Sequence, residues 1–146
     1  MPSATDVKTV NARQKQSAAA KRATLDQLIN KPRAERELTV KMPTGSGEVN
    51  EVSFLFRAIG AKEFDSVVTK HPPTTSQRAE GAGYNIHTFA PALLSRVCAE
   101  PELTEKQWQE VWESPDWNRG EVIQLFYACT DLCNAGMDLV PTSGND

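Results

Sequence analysis

Two stretches of alternating apolar residues predict a β-hairpin in the first half of the chain. The first places apolar residues at every second position from Leu38 to Met42, and the second does so from Val52 to Phe56. This period of two is the pattern of half-buried strands. The residues between them include a Pro-Thr-Gly-Ser-Gly run at 43–47, which predicts a flexible turn. Because an isolated two-stranded hairpin is marginally stable in water, we expect it to pack on helices or to gain further strands.

Further along the chain the spacing becomes helical. The apolar stripe from Phe64 to His71 predicts a short amphipathic helix that Pro72-Pro73 ends. Thr88 is predicted to cap the next helix, with Pro91 in its first turn, where a missing N–H is harmless. Before the hairpin, residues 24–29 predict one or two helical turns capped by Thr24.

The last third of the sequence predicts two more helices. Thr104 and Gln107 have the spacing of a capping box, which opens a helix. Ser114-Pro115 predicts the start of the final helix, and Gly136 is a candidate C-cap glycine near its end. The final helix carries one apolar stripe, formed by Val122, Leu125, Phe126, Cys129, Leu132 and Cys133.

These elements predict an α+β fold, with an N-terminal β-hairpin packed on a small bundle of about four helices. One core is expected to unite both parts, formed by Phe54, Phe56, Phe64, Leu94, Trp117, Leu125 and Phe126. Hydrophobic residues make up 39% of the chain, slightly below the globular average, so some segment should contribute little to that core.

Charge is divided unevenly along the chain. Residues 1–36 hold eight of the 16 Lys and Arg residues and three of the 19 acidic residues, which gives them a formal charge of +5. The remaining residues carry −8. We therefore predict a flexible basic arm over 1–36 with a short helical turn, an α+β domain over 37–140, and a polar tail over 141–146. Such an asymmetry concerns partners and solubility rather than the fold.

Catalytic and metal-binding patterns are not evident in the sequence. No nucleophile elbow, phosphate loop or dinucleotide fingerprint is present. His71 and His87 are far apart, and the i, i+4 pair Cys129 and Cys133 has only Cys98 as a further thiol. Buried free cysteines acting as small apolar residues are favoured over a metal site. We predict no catalytic residue, no metal ligand, no cofactor and no enzymatic activity.

Three tryptophans lie within ten residues of one another. Trp108 and Trp112 are one helical turn apart, and Trp117 follows. One interpretation places them in the core between the last two helices. The other exposes part of this aromatic surface to a partner, because Trp is enriched at binding hot spots. The candidate partner-binding residues are Trp108 and Trp112, together with Phe54 and Phe56 of the hairpin.

Several segments, taken in order, resemble the tail assembly chaperones of long-tailed bacteriophages, especially those of actinobacterial hosts. The similar segments are Val52–Gly60, Glu63–Asp65, His71–Thr74, Phe89–Leu93, Glu113–Glu121 and Leu132–Asn134 with Gly136. They fall within residues 37–140, whereas the arm of residues 1–36 matches only in having a basic lead and a short Leu-rich turn.

The resemblance implies a non-catalytic assembly factor in the host cytoplasm. Such chaperones bind the tape-measure protein, keep it soluble, recruit tail-tube subunits and are absent from the finished virion. Many families also make a longer form by ribosomal frameshifting, so partners would include that form and further copies of the chain. No nucleic acid or membrane partner is expected.

Two alternatives use the same residues differently. The basic arm could serve a small nucleic-acid-associated protein, although it has no aromatic residue to stack on bases. The chain could instead be a structural component of the tail.

Overall fold

The computed structural model describes residues 20–141, so most of the predicted basic arm and nearly all of the polar tail lie outside the described residues. The described residues divide into two units, one that contains residues 20–32 and 136–141 and another formed by Arg33–Ala135. The first unit contains helix α1 (Leu25–Ile29). As predicted, Thr24 caps α1, through a capping box with Gln27.

The second unit contains an antiparallel sheet that confirms the predicted hairpin. Strand β1 (Glu35–Pro43) pairs with β2 (Val49–Arg57) along their whole lengths. In the turn between them Gly47 has a φ of 87°, in the left-handed region that suits glycine. Strand β1 begins inside the predicted arm of residues 1–36.

A third strand, absent from the sequence prediction, completes this sheet. Strand β3 (Cys98–Glu100) pairs with Leu55 and Phe56 of β2, which gives the order β1-β2-β3 in the described part of the chain. The hairpin thus gains the extra strand that its marginal stability calls for.

Five further helices follow the hairpin. They are α2 (Ala61–Lys70), α3 (Thr75–Ala79), α4 (Ile86–Val97), α5 (Glu105–Glu113) and α6 (Arg119–Asn134). With three antiparallel strands and six helices in residues 20–141, the fold is α+β. None of the helices in this range is long and apolar enough to span a bilayer.

Two predicted helix starts are wrong, and asparagine is the cap in both cases. Asn85, not Thr88, caps α4, and its side chain accepts a hydrogen bond from the His87 N–H. Pro91 therefore lies beyond the first turn, inside α4. Its missing N–H leaves the carbonyl one turn earlier without the usual helical bond.

The start of α6 is corrected in the same way. Asn118 forms a capping box with Glu121, whereas Ser114 terminates α5 and accepts a hydrogen bond from the Asp116 N–H. The predicted glycine cap at the end of α6 is also wrong. The helix ends at Asn134 with Ala135 as its C-cap, and Gly136 is not in the left-handed region.

In the second unit, one hydrophobic core joins the sheet to α2, α4, α5 and α6. Phe54, Phe56, Leu94, Leu125 and Phe126 are buried in it, as predicted. Phe64 and Trp117 are only partly buried and pack against it. The predicted stripe of α6 is confirmed, with Cys133 half-buried and the other members buried.

Candidate partner-binding surface

The four residues proposed for partner binding differ sharply in exposure. Phe56 is 0% exposed, Trp108 2% and Phe54 8%, so the chain's own side chains cover all three. Trp112 is half-buried. Of these four, only Trp112 offers an appreciable surface in this structure, and the assignment of partner binding to the set stays a prediction.

Trp108 is held in the core by the helix start that precedes it. The Thr104–Gln107 capping box fixes the first turn of α5, and the backbone N–H of Trp108 donates to the Thr104 carbonyl at 3.0 Å. Its indole Nε1 is buried and has no acceptor among the described residues. An unpaired buried N–H costs stability, so burial of the large ring must outweigh that cost.

Trp112 lies one turn later, where its ring is fixed on two sides. The indole N–H donates to Nδ1 of His87 at 3.3 Å, and the two rings are 6.2 Å apart. On the core side, the ring packs edge-to-face with Phe126 at a centroid distance of 6.5 Å. A half-exposed indole held in one orientation loses little side-chain entropy on binding a partner.

Trp112 and Trp117 form the apolar part of an open depression, which we name the aromatic groove. Its volume is about 360 Å³, and Val122 and Ile123 of α6 continue its apolar lining. The rim is polar, formed by His87, Glu113 and Arg119. Sequence reasoning missed the groove itself, because it forms where the start of α4, the end of α5 and the start of α6 meet.

Trp117 also lines a second depression, which we name the edge groove. It lies beside strand β1, where Val40 and Met42 face Leu125 of α6, and its volume is about 320 Å³. Asp116 and Glu121 contribute two carboxylates to its lining, and Lys41 of β1 also lines it. The edge groove therefore combines an apolar floor with two carboxylates.

No family model, curated protein or solved structure matches this chain.

The three cysteines are unpaired thiols in or next to the core. Burial raises the pKa of the Cys98 thiol to about 11, despite a hydrogen bond to the Glu100 backbone that lowers it. Burial likewise raises the pKa of Cys129 and that of Cys133. Since thiolates are the nucleophiles and metal ligands, raised pKa values disfavour both kinds of chemistry here.

The other polar candidates have structural partners. His71 ends α2 and packs against the ring of Phe89, and His87 accepts the Trp112 hydrogen bond. The Glu121 carboxylate accepts from the Asn118 N–H at 2.9 Å, as part of the capping box that opens α6. In residues 20–141 no group of three His, Cys, Asp or Glu side chains is placed to share a metal ion.

Proposed function

We propose that this chain is a tail assembly chaperone of a long-tailed bacteriophage, which acts by binding proteins and not by catalysis. In the host cytoplasm it would hold the tape-measure protein in solution and recruit tail-tube subunits around it. It would be absent from the finished virion, and a frameshifted longer form would share its domain. The resemblance of residues 37–140 to this family is the source of the proposal.

The aromatic groove is the observation that supports a binding role most directly. A tape-measure protein is long and largely helical, with apolar stripes that need cover before the tail tube surrounds them. Amphipathic helices bind in apolar grooves through residues spaced one turn apart. Trp112 and Trp117 supply large aromatic surfaces for such residues, and the polar rim favours one orientation.

Net charge supports the same role. Residues 37–146 carry a formal charge of −8, which opposes aggregation when several copies crowd on one long partner.

Co-expression with the tape-measure protein of the same phage tests the proposal. The readout is the fraction of the tape-measure protein that stays soluble, with and without the chain. We expect Trp112→Ala and Trp117→Ala to reduce that fraction while circular dichroism shows both variants folded. The matched control is Tyr127→Ala on α6, which removes an aromatic ring that is 54% exposed and lies outside both grooves.

The possible results of this experiment distinguish a wrong function from a wrong choice of binding surface. If the wild-type chain leaves the tape-measure protein insoluble, the chaperone proposal fails. If the wild-type chain and both folded tryptophan variants keep it equally soluble, the function stands and the aromatic groove is not the binding surface. Mass spectrometry of purified virions supplies a second test, since abundant copies there would indicate a structural tail component.

A further inference from the structure

Among the residues that the structure describes, none pairs with the outer edge of strand β1, which we call the free edge. In the described residues its one neighbour in the sheet is β2. The two cross-strand residue pairs just beyond the ends of β1 are hydrogen-bonded. The Ala58 N–H donates to the Ala34 carbonyl, and the Thr44 N–H donates to the Glu48 carbonyl. Antiparallel ladders alternate bonded and non-bonded pairs, so the even-numbered residues of β1 face β2. The odd-numbered residues, 35 to 43, direct their N–H and C=O groups to the free edge.

The charges along this edge are arranged so that a second, antiparallel copy of the same edge would present opposite charges to them. Glu37 and Lys41 lie two residues on either side of Thr39, and all three side chains are exposed on the sheet face away from the core. Neither charge takes part in an ion pair within residues 20–141. A second copy that runs antiparallel about Thr39 would place each Glu37 opposite a Lys41.

We propose that two copies of this chain pair through their β1 edges, with a two-fold axis at Thr39, to form one continuous antiparallel sheet. Thr39 lies opposite Thr39 of the second copy, and their N–H and C=O groups bond reciprocally. Glu37 and Lys41 bond in the same way on either side. Opposite charges and paired threonines directly across an antiparallel sheet are both stabilising.

Pro43 limits this pairing to the middle of the strand. Its ring nitrogen faces the free edge, where it has no hydrogen to donate. Pro43 therefore does not disturb the hydrogen bonds between β1 and β2, but it interrupts hydrogen bonding along the free edge at one end. This position favours a short, defined pairing over unlimited edge-to-edge growth.

Three other registers, with axes at Glu37, Leu38 or Lys41, are less favourable. A two-fold axis at Glu37 or at Lys41 places like charges opposite each other. An axis at Leu38 places Glu35 opposite Lys41, but Glu35 already binds Arg57 at 2.6 Å. The Thr39 register uses charges that form no ion pair in the described residues, although Lys41 lies opposite Glu51 of β2.

The core-facing side of the sheet supplies a second, separate complementarity. In the Thr39 register Arg36 of the second copy lies opposite Met42, at the mouth of the edge groove. The methylene groups of that arginine would cover the apolar floor, and its guanidinium would approach Asp116 and Glu121. Arg36 is exposed in the single chain and has no ion pair within residues 20–141. The edge groove and the arginine thus belong to the same predicted interface.

Sedimentation equilibrium of the full chain tests the pairing. We expect a concentration-dependent mass that rises from 16.1 kDa for one chain towards twice that value and no further. The two-fold axis creates two Glu37–Lys41 pairs between the copies. Either Glu37→Lys or Lys41→Glu alone places like charges opposite each other in both of these pairs. Each variant should weaken the dimer by about 30-fold, which corresponds to about 2 kcal/mol.

The charge swap makes the test specific for this register. The double variant Glu37→Lys with Lys41→Glu restores opposite charges and should restore the dimer. The matched controls are Lys106→Glu and Glu110→Lys, an exposed i, i+4 pair on α5 that makes the same charge changes away from the edge. The controls should leave the dimer unchanged, and circular dichroism checks that every variant is folded.

Arg36→Glu is a second test on the opposite side of the sheet, and it should also weaken the dimer. A monomeric wild-type chain at high concentration would overturn the proposal. So would a dimer that both single charge variants leave intact, or one that the double variant fails to restore. Masses that continue to rise beyond two copies would show a head-to-tail contact and would equally overturn it. The pairing requires only copies of this chain, so its failure leaves the chaperone proposal standing.

Discussion

Replacement of Phe126, one of the largest fully buried side chains of the core, should disturb the fold strongly. Its side chain is 0% exposed in the middle of α6. Its ring packs edge-to-face with Phe89 at a centroid distance of 5.8 Å and with Tyr84 at 6.1 Å. Trp112 contacts the same ring from α5 at 6.5 Å. Phe126 therefore connects the last helix to α4, to α5 and to the segment before α4.

Replacement by alanine removes the whole ring from this setting. Buried Phe→Ala changes cost about 3–5 kcal/mol, because both the transfer free energy and the packing around the cavity are lost. Three aromatic neighbours lose an edge-to-face partner, which places Phe126→Ala in the upper part of that range. Domains of this size have a total stability of about 5–15 kcal/mol, so the variant should retain at most a marginal fold. We expect its Tm to fall by roughly 10 °C or more.

Urea denaturation followed by circular dichroism measures this loss, with Tyr127→Ala as the control. Tyr127 is adjacent on α6 but 54% exposed, so its replacement should cost less than about 1 kcal/mol. Both changes introduce alanine into the same helix, so the difference between them reports burial and not helix propensity. If Phe126→Ala proves too unstable to measure, Phe126→Leu should still unfold with a loss of about 1–2 kcal/mol. Equal costs for Phe126→Ala and Tyr127→Ala would refute the packing described for α6.

Three further outcomes follow from the caps and the thiols. Asn118→Ala should cost about 1 kcal/mol in urea denaturation, because it removes one half of the capping box with Glu121, whereas Asn118→Asp should keep most of that stability. In the native protein a thiol reagent should modify half-buried Cys133 well before buried Cys129, and equal rates would contradict the burial of α6. The raised pKa of Cys98, about 11 against its ordinary value of 9.0, means that the folded state keeps this proton when the unfolded chain has lost it. The free energy of unfolding should therefore fall as pH rises from about 9 towards 11, and Cys98→Ala should reduce that fall over the same pH range.

The sequence allowed prediction of the elements with a strong periodic pattern. The alternation through Val40 and Phe54 defined the hairpin, and the stripe that includes Leu125 and Phe126 defined α6. Strand β3 could not be predicted in the same way. It has three residues, too few for a period of two, and it depends on β2 as a template.

Helix starts were predicted less well because several residues near each start can cap. Thr88 and Ser114 both have suitable side chains, and each lies within four residues of the true cap. Local preference cannot decide between such neighbours, because the choice depends on which turn packs against the core. Asn118 with Glu121 does carry the spacing of a capping box, so that signal was available in the sequence.

Prediction of the candidate binding surface from the sequence was limited in a similar way. Spacing alone correctly placed Trp108 and Trp112 on one face of a helix. It could not show that one ring is buried and the other half-exposed, because that depends on contacts from α4 and α6. His87 orients Trp112 from 25 residues away, and no pattern in the sequence indicates that contact.

The proposed pairing of β1 also bears on how stability is measured. Leu38, Val40 and Met42 are only half-buried on the core side of the sheet. A second copy on the free edge would cover them further, and a ligand that binds only the folded state stabilises that state by mass action. The denaturation midpoint of the wild-type chain should then rise with protein concentration, whereas that of Lys41→Glu should rise less. Comparisons of Phe126→Ala with the wild type consequently need a fixed concentration, preferably one at which the wild type is largely monomeric. A midpoint that is independent of concentration across the range in which the mass doubles would show that the unfolded chain associates as strongly as the folded chain, and it would contradict pairing through the folded β1 edge.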